Sequence, residues 1–421
     1  MNPRAAFGIV VTLLAGTMFA AEGPVPSGVG HLDHVFVIMM ENHSYLQIVG
    51  NPNAPFANNY MKMANAAKNY FAVGHPSSTN YLEVVGGSNF GVRSDNAPDW
   101  HNANCSTNLA SKTVVTDIPS SPPVCPIAGW GTDAETPRID LTNECPSTSP
   151  CPPGLIDIDG IKSIPAASNT VGKMIADQLA ESGMTWKSYQ ESLPPVTWKG
   201  HAPADDVNYS DGFFTDTKNL VTSSLPNETQ TLIKLYAAKH NPFVYFQSVQ
   251  DGKQSSGLSL WNVVGFEGDG GLFADLTSGH VPAFSFIAPN QCNDQHGRGN
   301  AGPQCDFDPS DVGTQKGLNP ALIYLGDLTL RNIVTMIHNS PAWKTGRNAI
   351  VVLWDENDYS MVPNVNQVLA IVDTNYGMHG ASSTEFYTHF SLLKSLEAGF
   401  GLPCLNHACD TDVHVMGDLF Q

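Results

Sequence analysis

The chain has 421 residues, with 20 Lys and Arg against 39 Asp and Glu, for a formal net charge of −19. At 42% hydrophobic and 14% charged it is too apolar for intrinsic disorder, and it is long enough for one large α/β domain or for two to three smaller ones. The acidic balance argues against nucleic acid as a partner, because a general grip on the phosphate backbone needs a basic face. It leaves room for a small anionic substrate where a bound cation inverts the local field.

The first residues read as an export signal. Arg4 gives a short positive start, residues 5–19 form an apolar run, and the small pair Ala20-Ala21 follows, which puts cleavage near residue 21 and makes 1–21 a signal peptide. The run is shorter than the ~20 apolar residues a spanning helix needs, so no stable membrane insertion is expected after cleavage, and the protein is expected to be secreted or periplasmic. The eight cysteines fit an oxidising compartment. Paired as sequence neighbours they give Cys105–Cys125, Cys145–Cys151, Cys292–Cys305 and Cys404–Cys409, since small loops close readily. None has the C-x-x-C spacing of a zinc site.

Residues 30–421 read as a single domain with an α/β rhythm. Residues 34–40 and 348–354 are unbroken apolar runs suited to strands buried on both faces. Further strands are expected at 184–189, 242–249, 283–288 and 367–372. Helices are expected at 55–67, 77–85, 171–179, 229–239, 272–277, 327–338 and 385–398, the last stopped by Gly399 and Gly401. Residues 99–168 lack periodicity and are rich in Pro, Ser, Thr, Asn and Cys. They are expected to run over the core as an irregular, disulfide-stapled excursion. Helices alternating with apolar strands predict a mostly parallel central sheet covered by helices on both faces.

Such sheets bind ligands beyond the carboxyl ends of their strands. Residues 34–40 are followed by Glu41-Asn42, 348–354 by Asp355-Glu356-Asn357-Asp358, and 283–288 by a loop carrying Asp294 and His296. Any one of these clusters could cap a helix or solvate a loop. Together on one edge they crowd carboxylates in a low dielectric, which requires neutralising charge, and a divalent metal ion supplies it. Ser77 opens an expected helix, where backbone N–H groups and the dipole stabilise an anion and where metal coordination would make the hydroxyl a nucleophile. Its neighbour Ser78 could fill either that role or an ordinary N-cap.

These residues resemble a family. Met39-Met40-Glu41-Asn42, His75-Pro76-Ser77 with Asn80-Tyr81-Leu82, Lys239-His240-Asn241-Pro242-Phe243, Asn293-Asp294-Gln295-His296 and Trp354-Asp355-Glu356 look like successive motifs of the secreted phosphoesterases. That family includes acid phosphatases and bacterial phospholipases C, on an alkaline-phosphatase-like fold. Trp186-Lys187-Ser188-Tyr189-Gln190-Glu191 and Tyr387-Thr388-His389-Phe390 also fit. Each motif is short; their order across most of the chain carries the resemblance.

The resemblance implies Glu41, Asn42, Ser77, Asp355 and Glu356 as metal ligands and Ser77 as the nucleophile that becomes a phosphoserine. It implies Asn80 as a donor to a phosphate oxygen, Asp294 at the substrate, and His240 and His296 beside the phosphate, where one of the two, His296 before His240, protonates the leaving oxygen. Thr79 stands where many relatives carry proline. Oxygen ligands suit Mg²⁺, Ca²⁺ or Mn²⁺, and ligation by His296 would admit zinc or iron. His379 and His389 are further histidines that could approach the site, His389 equally well as a structural residue. The function implied is metal-dependent hydrolysis of small phosphate monoesters, with phospholipase C or other diesterase activity as the alternative. A serine esterase would want a G-x-S-x-G elbow, and Gly86-Gly87-Ser88-Asn89-Phe90 lacks the last glycine. A non-catalytic secreted binding protein has no need of Glu41, Ser77, Asp355 and Glu356 together.

Overall fold

The two unbroken apolar runs become the centre of an eight-stranded sheet. Its strands are β1 (His34–Met40), β2 (Asn65–Ala67), β3 (Trp186–Gln190), β4 (Val263–Val264), β5 (Phe284–Ala288), β6 (Asn348–Trp354), β7 (Ala370–Thr374) and β8 (Ser382–Ser383), in the spatial order β4-β3-β5-β1-β6-β7-β2-β8. This is a computed structural model, and it describes residues 21–421 apart from 103, 106–108, 110–114, 117–122, 133–168, 195–201, 213–219, 222–232, 253–256, 299–300, 307–318 and 359–365. Five of the seven strand pairings are parallel and two, flanking β7, are antiparallel.

Successive residues of a strand face opposite sides of the sheet, so an unbroken buried run means both faces are covered. Val35 to Met40 and all of β6 are buried in that way. Each such side chain contributes roughly 1.5–3 kcal/mol on leaving water, an upper estimate because denatured chains are already partly collapsed. The cover is α1 (Pro55–Met63), α2 (Ser77–Gly86), α3 (Ile175–Glu181), α4 (Leu272–Ser278), α5 (Pro320–Asn339) and α6 (His389–Phe400). They pack as two groups, α2 with α3 and α6, and α5 with α1 and α4. Every residue of α2 is buried, and the helix ends at Gly87 with φ 68°. A Cβ there would lie 2.6 Å from the Leu405 carbonyl oxygen, so both the turn and the packing require glycine.

Two expectations fail near the site. Residues 236–240 are not helical: Tyr236–Ala237 is a short strand paired with Tyr209–Ser210, and Ala238–His240 is a single 3-10 turn. Residues 242–249 are not a strand: Pro242–Tyr245 is a 3-10 turn and Gln247–Gln250 a helical turn. Phe243, Val244, Tyr245 and Phe246 are all buried, and so short an apolar run reads the same in a strand or in a buried turn. Pro242 decides it, since proline fits the first position of a helical turn. Smaller shifts occur elsewhere: residues 55–67 split into α1 and β2, the strand expected at 367–372 runs over Ala370–Thr374, and α6 starts at His389.

Residues 1–20, which hold nearly all of the expected export signal, and most of the excursion at 99–168 lie outside the described residues. The described parts of the excursion are tied to the core. The Val124 amide donates to the Ala97 carbonyl, the Ile127 amide donates to the Tyr245 carbonyl, and Trp130–Gly131 pairs with Thr170–Val171. No helix among the described residues is long and apolar enough to cross a membrane. Cys105–Cys125, Cys292–Cys305 and Cys404–Cys409 are bonded as expected, while Cys145 and Cys151 lie outside the described residues. Peptide mapping without reductant should recover these three links together with Cys145–Cys151. A Cys145 or Cys151 thiol open to alkylation would overturn the fourth pairing.

Candidate active site

Strands β5, β1 and β6 are neighbours and parallel, so their carboxyl ends open on the same edge. The register pairs Met40 with Trp354, which sets Glu41 beside Asp355. The Asp355 amide donates to the Met40 carbonyl at 3.0 Å and the Glu41 amide to the Asp294 carbonyl at 2.8 Å, so the three loops are stitched together by backbone. Asn42 has φ 53°, a left-handed conformation that asparagine tolerates better than most residues. This turn lets the Asn42 amide donate to Asp355 Oδ1 at 2.9 Å, where the Glu356 amide also donates at 2.7 Å.

Helix α2 delivers Ser77 to this edge. Ser77 Oγ lies 3.2 Å from Glu41 Oε2 and 3.1 Å from Glu356 Oε1. Ser78 points elsewhere: its hydroxyl donates to the Ser94 carbonyl and its amide to Asp95 Oδ1 at 3.2 Å. Of the two adjacent serines, Ser77 is therefore the one among the carboxylates. Thr79, at the proline position of the motif, is also tied down, its hydroxyl donating to the Val92 carbonyl at 3.1 Å.

The supporting residues differ from the sequence expectation in several places. Both hydrogens of the Asn80 amide go to protein, to the Gly74 carbonyl at 2.7 Å and to Glu356 Oε2 at 2.9 Å. Asn80 thus holds Glu356 and has no donor left for a phosphate oxygen in this arrangement. Asp294 is buried behind the site, where Oδ1 accepts the His296 amide and Oδ2 faces His240 Nδ1 at 3.4 Å. It is fully buried and adjoins His240, which stands between it and Glu41. His240 lies flat on Tyr81, ring centroids 5.3 Å apart, and presents Nε2 3.0 Å from Glu41 Oε1. His296 Nδ1 is 3.0 Å from the Gly297 carbonyl, which can only accept, so that nitrogen carries the proton. Its Nε2 then accepts from Lys239 Nζ at 2.9 Å. Burial, then the Lys239 charge, pulls the His296 pKa well below the usual range. A neutral imidazole of this tautomer has no proton to give on the Lys239 side, which counts against His296 as the acid.

His389 sits behind the site. Its Nε2 donates to the Asp355 carbonyl at 2.7 Å and its Nδ1 accepts from the Tyr70 hydroxyl at 3.0 Å. Burial lowers its pKa to about 4, so it is a neutral brace. His379 lies at the opposite edge of the sheet, 3.6 Å from Asp373 in antiparallel β7, and takes no part. Three groups carried no role in the sequence reading. His75 Nδ1 is 2.9 Å from Glu356 Oε2 and its Nε2 is 3.1 Å from Asn357 Oδ1. Lys239 reaches the site from the 3-10 turn, and Asp95 holds it, Nζ to Oδ2 at 2.8 Å. The motifs already contained His75 and Lys239. Asp95 had no local signal, since its position depends on how the loop after α2 folds.

The site is short of protons. One serine hydrogen faces two carboxylate oxygens, and one hydrogen of a neutral His240 faces Glu41 and Asp294. Each of these groups therefore leaves one lone pair set against another. Glu41 Oε1, His240 Nε2, Asp294 Oδ2 and Asp355 Oδ2 are buried without an aligned hydrogen-bond partner. Orphaned buried acceptors of this kind fit a cation, and two of them, Glu41 Oε1 and His240 Nε2, lie 3.0 Å apart. Glu41, Ser77, Asp355 and Glu356 offer an oxygen lobe for a hard divalent ion, and Asn42 adjoins it through Glu41 Oε2 at 3.3 Å. Glu41, His240 and His296 form a second lobe, their ligand atoms all within 4.8 Å of one another.

Burial first, and then the neighbouring carboxylates, holds Glu41 well above the ordinary carboxylate range. Burial likewise raises Asp294 and Asp355. Folded values above unfolded ones mean that stability from these groups is fully present below the unfolded values near 4 and is lost as pH rises from there through the raised folded values. A divalent ion bound there would replace the protons. Added Mg²⁺, Ca²⁺ or Mn²⁺ should therefore raise the melting temperature by several degrees at pH 7.5 and by little at pH 4.5. The increment should vanish in Asp355→Asn. Equal increments at both pH values would contradict this account of the cluster.

The chain matches the Phosphoesterase family model over residues 51–305. It is similar to an acid phosphatase of Aspergillus fumigatus, 23% identical over 374 residues, which are 88% of this chain and 55% of that one. It is also similar to the phosphatidylinositol-3-phosphatase of Mycobacterium tuberculosis, 22% identical over 409 residues, covering 95% and 89% of the two chains. The chain spans about half the length of the fungal acid phosphatases it matches. Among solved structures, a Vibrio parahaemolyticus protein in the alkaline phosphatase superfamily aligns over 93% of this chain and 71% of its own, with a TM-score of 0.46 and 11% identity. The family model covers more than half of the chain and spans α2 and the loop carrying Asp294 and His296: this chain is a member of the Phosphoesterase family.

Proposed function

We propose that the protein is a metal-dependent phosphoric ester hydrolase that cleaves phosphate monoesters through a phosphoserine on Ser77. The single observation that carries this reading is a hydroxyl at the N-terminus of a buried helix, within 3.2 Å of two buried carboxylates beside unpartnered acceptors. Family membership and relatives named as phosphatases agree with it.

Glu41, Ser77, Asp355 and Glu356 would hold one divalent ion, with Asn42 at its margin. Once bound, that ion lowers the serine pKa and neutralises charge on the phosphoryl oxygens. The chain's own residues do the rest. Glu41 or Glu356 accepts the hydroxyl proton as Ser77 Oγ attacks phosphorus. The bond from phosphorus to the leaving oxygen breaks, that oxygen takes up a proton, and water later cleaves the phosphoserine. The free end of α2 directs its dipole at the phosphoryl group. His75 and Asn80 fix Glu356, and Asp294 fixes His240. His296, neutral and bonded to Lys239, is a positioning residue in this scheme. Export, and with it action outside the cytoplasm, is proposed from the leader and the disulfides.

Loss of a nucleophile costs on the order of 10⁴–10⁶ in kcat. Ser77→Ala should lose that much on p-nitrophenyl phosphate, while Ser78→Ala should keep activity to within about tenfold, since it gives up only a bond to the Ser94 carbonyl. An active Ser77→Ala enzyme would refute the reading.

A further inference from the structure

The two lobes of the site are not equivalent. By spacing alone Glu41, His240 and His296 could hold a second metal ion. That lobe already contains a cation: Lys239 Nζ lies against His296 Nε2, where such an ion would have to bind. An ammonium has three donors. Two of them go to His296 at 2.9 Å and Asp95 Oδ2 at 2.8 Å, and among the described residues no third partner is present. The side chain is 14% exposed, so this is not a solvated surface lysine. Its position is also fixed relative to the nucleophile. Asp95 receives the ammonium on one oxygen and the Ser78 amide, one residue beyond Ser77, on the other. The lysine is therefore bolted to the first turn of the helix that presents the serine.

We propose that Lys239 is the protein's built-in second cation, that its ammonium takes a nonbridging oxygen of the phosphoryl group, and that it makes the site select phosphate monoester dianions over diesters. This rests on reading the site as a phosphoryl-transfer centre. A monoester carries one more negative charge on its nonbridging oxygens than a diester, and that charge is what a fixed, poorly solvated ammonium rewards. Preorganisation matters here. A flexible lysine would follow either substrate, whereas one held by Asp95 and His296 stays beside the first turn of α2. No step of the reaction changes in this proposal: the bonds formed and broken are those already given, and Lys239 keeps its protons throughout.

The test compares the parent enzyme with Lys239→Met and Lys239→Arg, all supplied with Mg²⁺, on p-nitrophenyl phosphate and bis-p-nitrophenyl phosphate. The ratio of the two kcat/KM values does not depend on how much of a variant is folded. Removing one preorganised charge stabiliser costs roughly 10²–10³. Lys239→Met should lose that on the monoester and about tenfold or less on the diester, and Lys239→Arg should recover most of the ratio. In parallel, calorimetry measures binding of inorganic phosphate at pH 8, where it is a dianion. Affinity should fall at least about tenfold in Lys239→Met and be largely restored in Lys239→Arg. An unchanged ratio, or unchanged phosphate affinity, overturns the proposal. If the parent hydrolyses neither ester, the phosphoryl-transfer reading fails on its own, and the phosphate arm alone decides whether Lys239 is an anion site.

Discussion

Everything at this site follows from a shortage of protons among buried carboxylates. Glu41, Asp294, Asp355 and Glu356 converge beyond the ends of three strands, and Ser77 and His240, each set between two of them, bring one hydrogen each. In water such a cluster would be unremarkable. Inside the fold each unpaired oxygen costs several kcal/mol unless a proton or a cation meets it. A cation would do so without blocking Ser77; without it the carboxylates would keep the protons. On the proposed function, the cation that makes the cluster tolerable would also make the serine reactive.

The fold's contribution is to make that crowding unavoidable. The β5-β1-β6 register fixes which residues emerge together, and the buried flanks of those strands leave no slack for a slip, because a shift of one residue would turn each side chain to the other face. Helix α2, buried along its whole length and closed by Gly87, cannot slide along its axis, so Ser77 stays at the carboxylate edge. A second layer then fixes each acidic group: Asn80 and His75 on Glu356, the amides of Asn42 and Glu356 on Asp355, and His389 behind the backbone of Asp355. Trp354 belongs to this layer. Its indole donates to Gln295 Oε1 at 2.8 Å and so ties the end of β6 to the loop that carries Asp294 and His296.

Much of this was legible in the sequence, for a definite reason. Long apolar runs announce central parallel strands, and in a parallel sheet the residues just past those runs must share one edge. Glu41, Asp355 and Asp294 could therefore be placed together before any coordinates. What failed were assignments that depend on direction and not on position. Asn80 and Asp294 lie at the site, but the Asn80 amide is consumed by protein and Asp294 is buried beside His240, and no pattern of residue types tells a substrate contact from a brace. The run after Pro242 was misread because four buried apolar residues look alike in a strand or a turn. That mattered, because the turn it forms is what aims Lys239 and His240 at the centre. Asp95 was out of reach of the sequence altogether, since its value comes from bridging two elements, residue 78 and residue 239, that meet only in three dimensions.

The central claim is that these carboxylates are assembled around a divalent ion. Elemental analysis of protein purified without chelator tests it most directly. The account predicts one divalent ion per chain, retained through extensive dialysis and lost in a folded Asp355→Ala variant. A parent protein that is free of divalent metal and still hydrolyses phosphate esters at full rate would contradict it.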